Sequence, residues 1–179
     1  MLAFWRKYPN RFADHVKEVD TFKRDFDPVT GDLTTYRLIA CESALPSWMS
    51  ALGISSLAYA LEQTVVNAKN KTMVIRSRNI SGSSMMVVEE KCTYTQDPEN
   101  AAWTQYNQSA NITSFLPIVR SKMENYTFAS MTNRSKQGLA VMEELCHVLA
   151  TKGLSALNFS TAAAAPAQPQ SQQTETLSR

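Results

Sequence analysis

The polar turns between residues 16 and 112 limit the fold more than any other feature, because they cut the chain into six runs at hairpin spacing. Runs 16–26 and 33–41 flank Asp27-Pro28-Val29-Thr30-Gly31-Asp32, where the Pro and Gly positions mark a tight turn. Runs 57–66 and 72–80 flank Asn67-Ala68-Lys69-Asn70-Lys71, and runs 85–95 and 103–112 flank Gln96-Asp97-Pro98-Glu99-Asn100. Each run is rich in β-branched and aromatic residues. Six such runs without strand–helix–strand alternation predict a large antiparallel sheet and disfavour a dinucleotide-type parallel one.

Helices bracket this sheet. Leu139, Met142, Leu145, Cys146 and Leu149 recur at three- and four-residue steps, which predicts an amphipathic helix with one buried face. Cys146 is read as a core residue beside a surface His147. Val119, Met123, Tyr126 and Met131 extend the pattern upstream, and the polar residues 132–136 are expected to interrupt it. A short helix is expected over residues 1–8, because Pro9 disfavours helix at Tyr8. The predicted class is therefore α+β. Lys152-Gly153 is a helix stop signal, so the domain is expected to span residues 1–153. Residues 154–179, poor in large apolar side chains, are expected to form a disordered tail.

At 179 residues the chain is sized for one domain that folds without disulfides or metal. Lys+Arg 18 against Asp+Glu 16 leaves +2, too little to argue for a nucleic-acid partner. No apolar stretch approaches the ~20 residues that span a bilayer. Cys41, Cys92 and Cys146 are widely spaced, with no Cys-x-x-Cys to suggest a zinc site. Asn-x-Ser/Thr tripeptides recur, but the N-terminus has no signal-peptide pattern, so they read as a by-product of Asn, Ser and Thr content. Catalytic signatures are missing: no Gly-x-Ser-x-Gly, no His-Glu-x-x-His, no phosphate-binding glycine loop. The expectation is a non-enzyme with no cofactor and no metal.

Several collinear segments resemble the PRELI-domain family, the slowmo/PRELI phospholipid-transfer proteins. They are Phe4-Trp5-Arg6-Lys7-Tyr8-Pro9-Asn10, His15-Val16, Thr35-Tyr36-Arg37-Leu38-Ile39 and Leu45-Pro46-Ser47-Trp48. Further along come Asn70-Lys71-Thr72-Met73, Met86-Val87-Val88-Glu89-Glu90-Lys91-Cys92, Trp103-Thr104 and Ser135-Lys136-Gln137-Gly138. The resemblance implies a curved antiparallel sheet closed by a long C-terminal helix around a lipid cavity. It also implies transfer of phosphatidic acid or phosphatidylserine across the mitochondrial intermembrane space. The implied partners are the phospholipid, the mitochondrial membranes in transient peripheral contact, and a small helical twin-cysteine-motif protein. A competing reading keeps the fold without a functional cavity and makes the chain a protein-interaction or assembly factor.

On the matching positions, Lys7 and Lys136 are the candidate headgroup ligands, since a phosphate needs cations at the cavity. The alternative for each is a solvated cation at a helix end. Leu45, Pro46, Trp48 and Met49 match the family's lid, and Arg120 and Lys122 are candidate contacts for membrane phosphates. Two departures stand out. The match begins inside the family's first helix, so its preceding strand is expected to be missing and a sheet edge left open. Ala40-Cys41-Glu42-Ser43-Ala44 also lacks the lysines that phosphatidic acid carriers place before Leu-Pro, which favours a different headgroup.

Overall fold

The computed structural model describes residues 2–8, 13–42 and 44–153. Pro9, Asn10 and the expected tail from residue 154 lie outside the described residues. The chain runs α1 (Leu2–Trp5), β1 (Val16–Phe26), β2 (Asp32–Glu42), α2 (Ser47–Ser50), β3 (Leu57–Asn67), β4 (Thr72–Asn79), β5 (Met86–Gln96), β6 (Thr104–Ser114) and α3 (Arg120–Lys152). The strands form one antiparallel sheet in sequence order, and every expected strand appears within two residues of its expected ends. The fold is the α+β class that the turn spacing implies.

The turns are built as their sequences require. Asp27 Oδ1 accepts the backbone N–H groups of Val29 (2.8 Å) and Thr30 (3.3 Å), while Gly31 takes φ 77°. These bonds favour the charged carboxylate and hold its pKa below the ordinary value. Asn67 joins two neighbouring turns: its side-chain amide donates to Asp32 Oδ1 (2.7 Å), and its carbonyl accepts from Asn70 N–H (2.8 Å). Asp97 repeats the device, accepting from Glu99 and Asn100 at 2.9 Å each. Register shifts between Val16 and Glu18 and between Thr21 and Lys23 mark bulges, which bend β1 and help curve the sheet.

Strand alternation sends one set of side chains inward, and the pairing register stacks them into rows. Leu33, Val66, Met73, Tyr94 and Tyr106 form an apolar row at one end. Thr35, Thr64, Ile75, Cys92 and Gln108 follow. Next come Arg37, Glu62, Ser77, Glu90 and Ala110, a charged row at the middle of the inner face, buried at Arg37 and Glu62 and exposed at Ala110.

Phe4 seats α1 on this face beside Val66, Met73, Ile75 and Cys92. Helix α3 is 33 residues long and its backbone comes close only to β6 and α1 among the described elements. It therefore hangs over the concave side from one edge, leaving space beneath. Gly153, at φ 70°, donates its N–H to Leu149 O and ends the helix at Lys152.

Three helical expectations need correction. Residues 132–136 do not interrupt α3. Thr132 Oγ1 bonds back to Phe128 O at 2.9 Å and Ser135 reaches β6, so these polar groups are satisfied within a continuous helix. Cys146 is exposed and outside the core. The buried stripe is centred on Val141 and Leu145, which pack with Ala3, and Cys146 lies about 100° round from Leu145. The first helix is one turn long and ends at Trp5, with Arg6 and Lys7 N–H groups closing onto Ala3 and Phe4 carbonyls. Lys7 and Tyr8 thus follow the helix.

Candidate functional site

The space under α3 holds a cavity of about 250 Å³, walled by the inner sheet face, α1 and the middle of α3. That is a headgroup-sized volume, just below the usual span of roughly 300–1,000 Å³ for small-molecule sites. Its polar groups come from elements that the register brings together.

Lys7 enters just after α1. Its ammonium lies where α3 carries Gly138: a Cβ there would stand 2.9 Å from Lys7 Nζ. Only a glycine lets the helix cross the lysine this closely. Burial lowers the Lys7 pKa, partly countered by the carboxylates, chiefly Glu62. Tyr8, beside it, is pushed up to about 12 by burial, with Glu62 acting in the same direction. Lys7 is therefore a partly desolvated cation facing a cavity, which binds an anion more strongly than an exposed lysine does.

Two polar networks line the floor. Arg37 Nε and Nη2 bond Glu62 Oε1 at 2.9 and 2.5 Å, and Thr64 Oγ1 donates to the same oxygen at 3.0 Å. Arg37 is 4 % exposed, and its guanidinium carbon sits 4.6 Å from the Phe4 ring centroid and 5.4 Å from that of Trp5. Aromatic faces and a carboxylate thus neutralise it within the wall. In the second network Ser77 Oγ donates to Glu90 Oε2 at 3.1 Å and Gln108 Nε2 donates to Glu90 Oε1. Ser135 Oγ of α3 donates to Gln108 Oε1 at 2.5 Å, tying the helix to the floor. Cys92 meets Tyr106 Oη at 3.3 Å, and burial pushes its thiol up to about 12.

Arg134 and His15 line the cavity's other side. The His15 pKa is lowered, first by burial and then by Arg134. Glu62 is bonded by Arg37, whereas Glu90 accepts from the neutral Ser77 and Gln108. The pocket therefore offers cationic groups, Lys7 and Arg134, together with a carboxylate on its floor. Such a set suits a ligand carrying both anionic and ammonium groups. Among the described residues, no group of three or more His, Cys, Asp or Glu converges as a metal site.

The two candidate headgroup lysines part company. Lys7 lines the cavity, and Lys136 is exposed and does not. What the Lys136-Gln137-Gly138 segment contributes to the cavity is Gln137 and Gly138. The candidate lid residues sit over the start of α3. Met49 of α2 is 4 % exposed, Leu45 and Pro46 are half-buried, and the Trp48 ring meets Tyr126 edge-on with centroids 6.2 Å apart. Arg120 and Lys122 are exposed, and Lys122 Nζ stands 4.4 Å over the Trp48 ring. Sequence reasoning missed Arg37, Glu62, Glu90 and Arg134. For the three strand residues a signal was available: they share the inward parity of Ile75, Val66 and Cys92, and charged residues on a buried face are rare without purpose.

A match to the PRELI-like family covers residues 1–152. The chain is 33% identical over 142 residues to the slowmo homolog of Dictyostelium discoideum, covering 79% of this chain and 62% of that protein. It is 32% identical over 130 residues to the mitochondrial PRELI domain-containing protein 1 of Homo sapiens, 71% of this chain and 59% of that one. Over 143 residues it is 32% identical to the mitochondrial protein UPS1 of Saccharomyces cerevisiae, 77% of this chain and 81% of that one. The chain thus spans under two thirds of the Dictyostelium and human relatives. A six-stranded antiparallel sheet under a long C-terminal helix, matched nearly end to end over its described part, identifies the chain as a member of the PRELI-like family.

Proposed function

We propose that the chain transfers an anionic phospholipid, phosphatidylserine or phosphatidic acid, between mitochondrial membranes, without catalysing a reaction. The observation that carries this reading is Lys7, a partly desolvated ammonium held under α3 inside a headgroup-sized cavity. Relatives named as mitochondrial proteins support the location, and the intermembrane space is the compartment proposed. A small helical twin-cysteine-motif protein is the proposed partner.

Between the two headgroups, the floor favours phosphatidylserine. A phosphatidic acid headgroup is anionic throughout and gains nothing from Glu90. A serine headgroup adds an ammonium that Glu90 receives while phosphate or carboxylate meets Lys7. The acyl chains need more room than 250 Å³. They are accommodated if α3, held mainly along β6 and α1, swings away from the sheet. Apolar side chains on the inner rows then meet the chains, and water stays excluded.

The small cavity also favours a second reading, an interaction or assembly factor on the same fold. Fluorescent lipid transfer between liposomes separates the two. Lys7→Ala is expected to slow transfer roughly ten- to a hundredfold, the loss of one charge-assisted hydrogen bond. Lys136→Ala, screened by solvent, changes it less than about fivefold. No transfer by the parent chain supports the assembly reading, and equal loss in both variants refutes the assignment of Lys7.

A further inference from the structure

We propose that the turn between β6 and α3, residues 115–119, is a wedge by which the chain docks on an anionic bilayer surface, with Arg120 and Lys122 as its phosphate contacts. This rests on the transfer reading and names the surface that meets the membrane. Ile118 is 99 % exposed, the largest exposure among the large apolar side chains described, and Phe115 beside it is 49 % exposed. Across the same end of the sheet Ile80 and Leu52 are about half exposed. An isolated apolar tip on a soluble surface needs no explanation, but a cluster at one end does.

The tip is built rigid. Pro117 restricts the backbone, Phe115 N–H donates to Met85 O at 2.8 Å, and Val119 N–H reaches Leu116 O at 3.2 Å. Glu124 turns its carboxylate back to accept Ser114 N–H at 2.9 Å, so the one acid near the tip is engaged in holding it. A rigid wedge loses little conformational entropy when it inserts.

Charge selects the partner. The loops and strand ends gathered here carry no charge at all between Glu42 and Glu62, between Arg78 and Glu89, or between Glu99 and Arg120. At the rim of this end Lys17 pairs with Glu42 at 3.3 Å. The charges next to the wedge are Arg120 and Lys122, both exposed. Apolar residues flanked by two cations, with the nearby Glu124 turned inward, complement acyl chains beneath anionic headgroups. The opposite end of the sheet also shows apolar groups, Val29 at 85 % and Trp103 at 66 % exposure. Its turns, however, hold Asp27, Asp32, Asp97 and Glu99 against Lys69 and Lys71, which an anionic surface repels. Lys122 lies against Trp48, so the wedge is continuous with the candidate lid.

The test is flotation of the full chain with phosphatidylcholine vesicles, with and without added phosphatidylglycerol. Phospholipid co-purifying with each variant is measured on the same preparations. Ile118→Asp is expected to weaken binding about tenfold or more, the loss of one buried isoleucine. Arg120→Ala with Lys122→Ala removes the preference for anionic vesicles, about fivefold per cation. Val29→Asp at the far end is expected to float like the parent. Flotation of Ile118→Asp equal to the parent, or equal losses for Ile118→Asp and Val29→Asp, overturns the proposal. A parent that floats on neither vesicle also overturns it and assigns the tip to a protein partner. Loss of flotation by Ile118→Asp with its bound phospholipid retained supports it. A parent that floats through this wedge but carries and transfers no phospholipid refutes the transfer reading and leaves the docking surface standing.

Discussion

Gly138→Ala separates stability from function with opposite signs. Gly138 lies inside α3 with ordinary helical backbone, since the positive-φ glycines are Gly31, Gly53, Gly82 and Gly153. Alanine in a helix interior is favoured over glycine by roughly 0.5–1 kcal/mol. The new Cβ would stand 2.9 Å from Lys7 Nζ and 3.6 Å from its Cε, too close to the nitrogen to coexist. The obstacle is the far end of a flexible side chain, so Lys7 moves rather than the helix. Its ammonium leaves the cavity, regains water and sheds the burial that lowers its pKa. The variant should melt at an equal or higher temperature, by up to about 2–4 °C. Lipid transfer should fall roughly ten- to a hundredfold, as for Lys7→Ala. Thermal denaturation and liposome transfer on one preparation read both. A melting temperature several degrees lower would show that Lys7 is locked in place. Unchanged transfer with raised stability would show that Lys7 is no ligand.

Glu62→Ala strands Arg37, 4 % exposed, without its carboxylate, at a cost of about 3–5 kcal/mol; replacing both residues by Met should recover most of it, as denaturant midpoints would record. A single variant as stable as the parent refutes the buried-pair argument. His15 has a folded-state pKa below 6.5, so the unfolded chain takes up its proton first. Stability should fall as pH drops below about 6.5 and on through the lowered folded value, and His15→Gln should flatten that slope; identical pH profiles would contradict it. Cys146 is exposed and Cys92 is buried with its thiol pushed up to about 12, so an alkylating reagent should label Cys146 first in the native chain. Mass spectrometry of the labelled peptides decides, and earlier labelling of Cys92 would mean the sheet face is open.

The sheet was legible because its turns announce themselves. Asp27 and Gly31 make their turn by local bonds that any surrounding fold would permit. The helical faces were harder to read. Leu139, Leu145 and Leu149 suggested a stripe through Cys146, but the docking of α1 decides the orientation, because Ala3 meets Val141 and Leu145. That contact joins residues too far apart in sequence for periodicity to reveal. Lys7 was legible through a family motif, whereas its neighbour Gly138 acquires meaning only when α3 lies across it. Arg37, Glu62 and Glu90 were not marked as site residues by the motifs or the hydropathy pattern alone. Their roles follow from register, which lines up Arg37, Glu62, Ser77 and Glu90 across four strands.

The central claim is that this chain carries one phospholipid with its headgroup on Lys7, and native mass spectrometry of the full chain tests it most directly. The account predicts a one-to-one adduct of phospholipid mass, enriched in phosphatidylserine over neutral lipids and depleted in Lys7→Ala. A chain that holds no phospholipid, or holds neutral and anionic lipids alike regardless of Lys7, would contradict it.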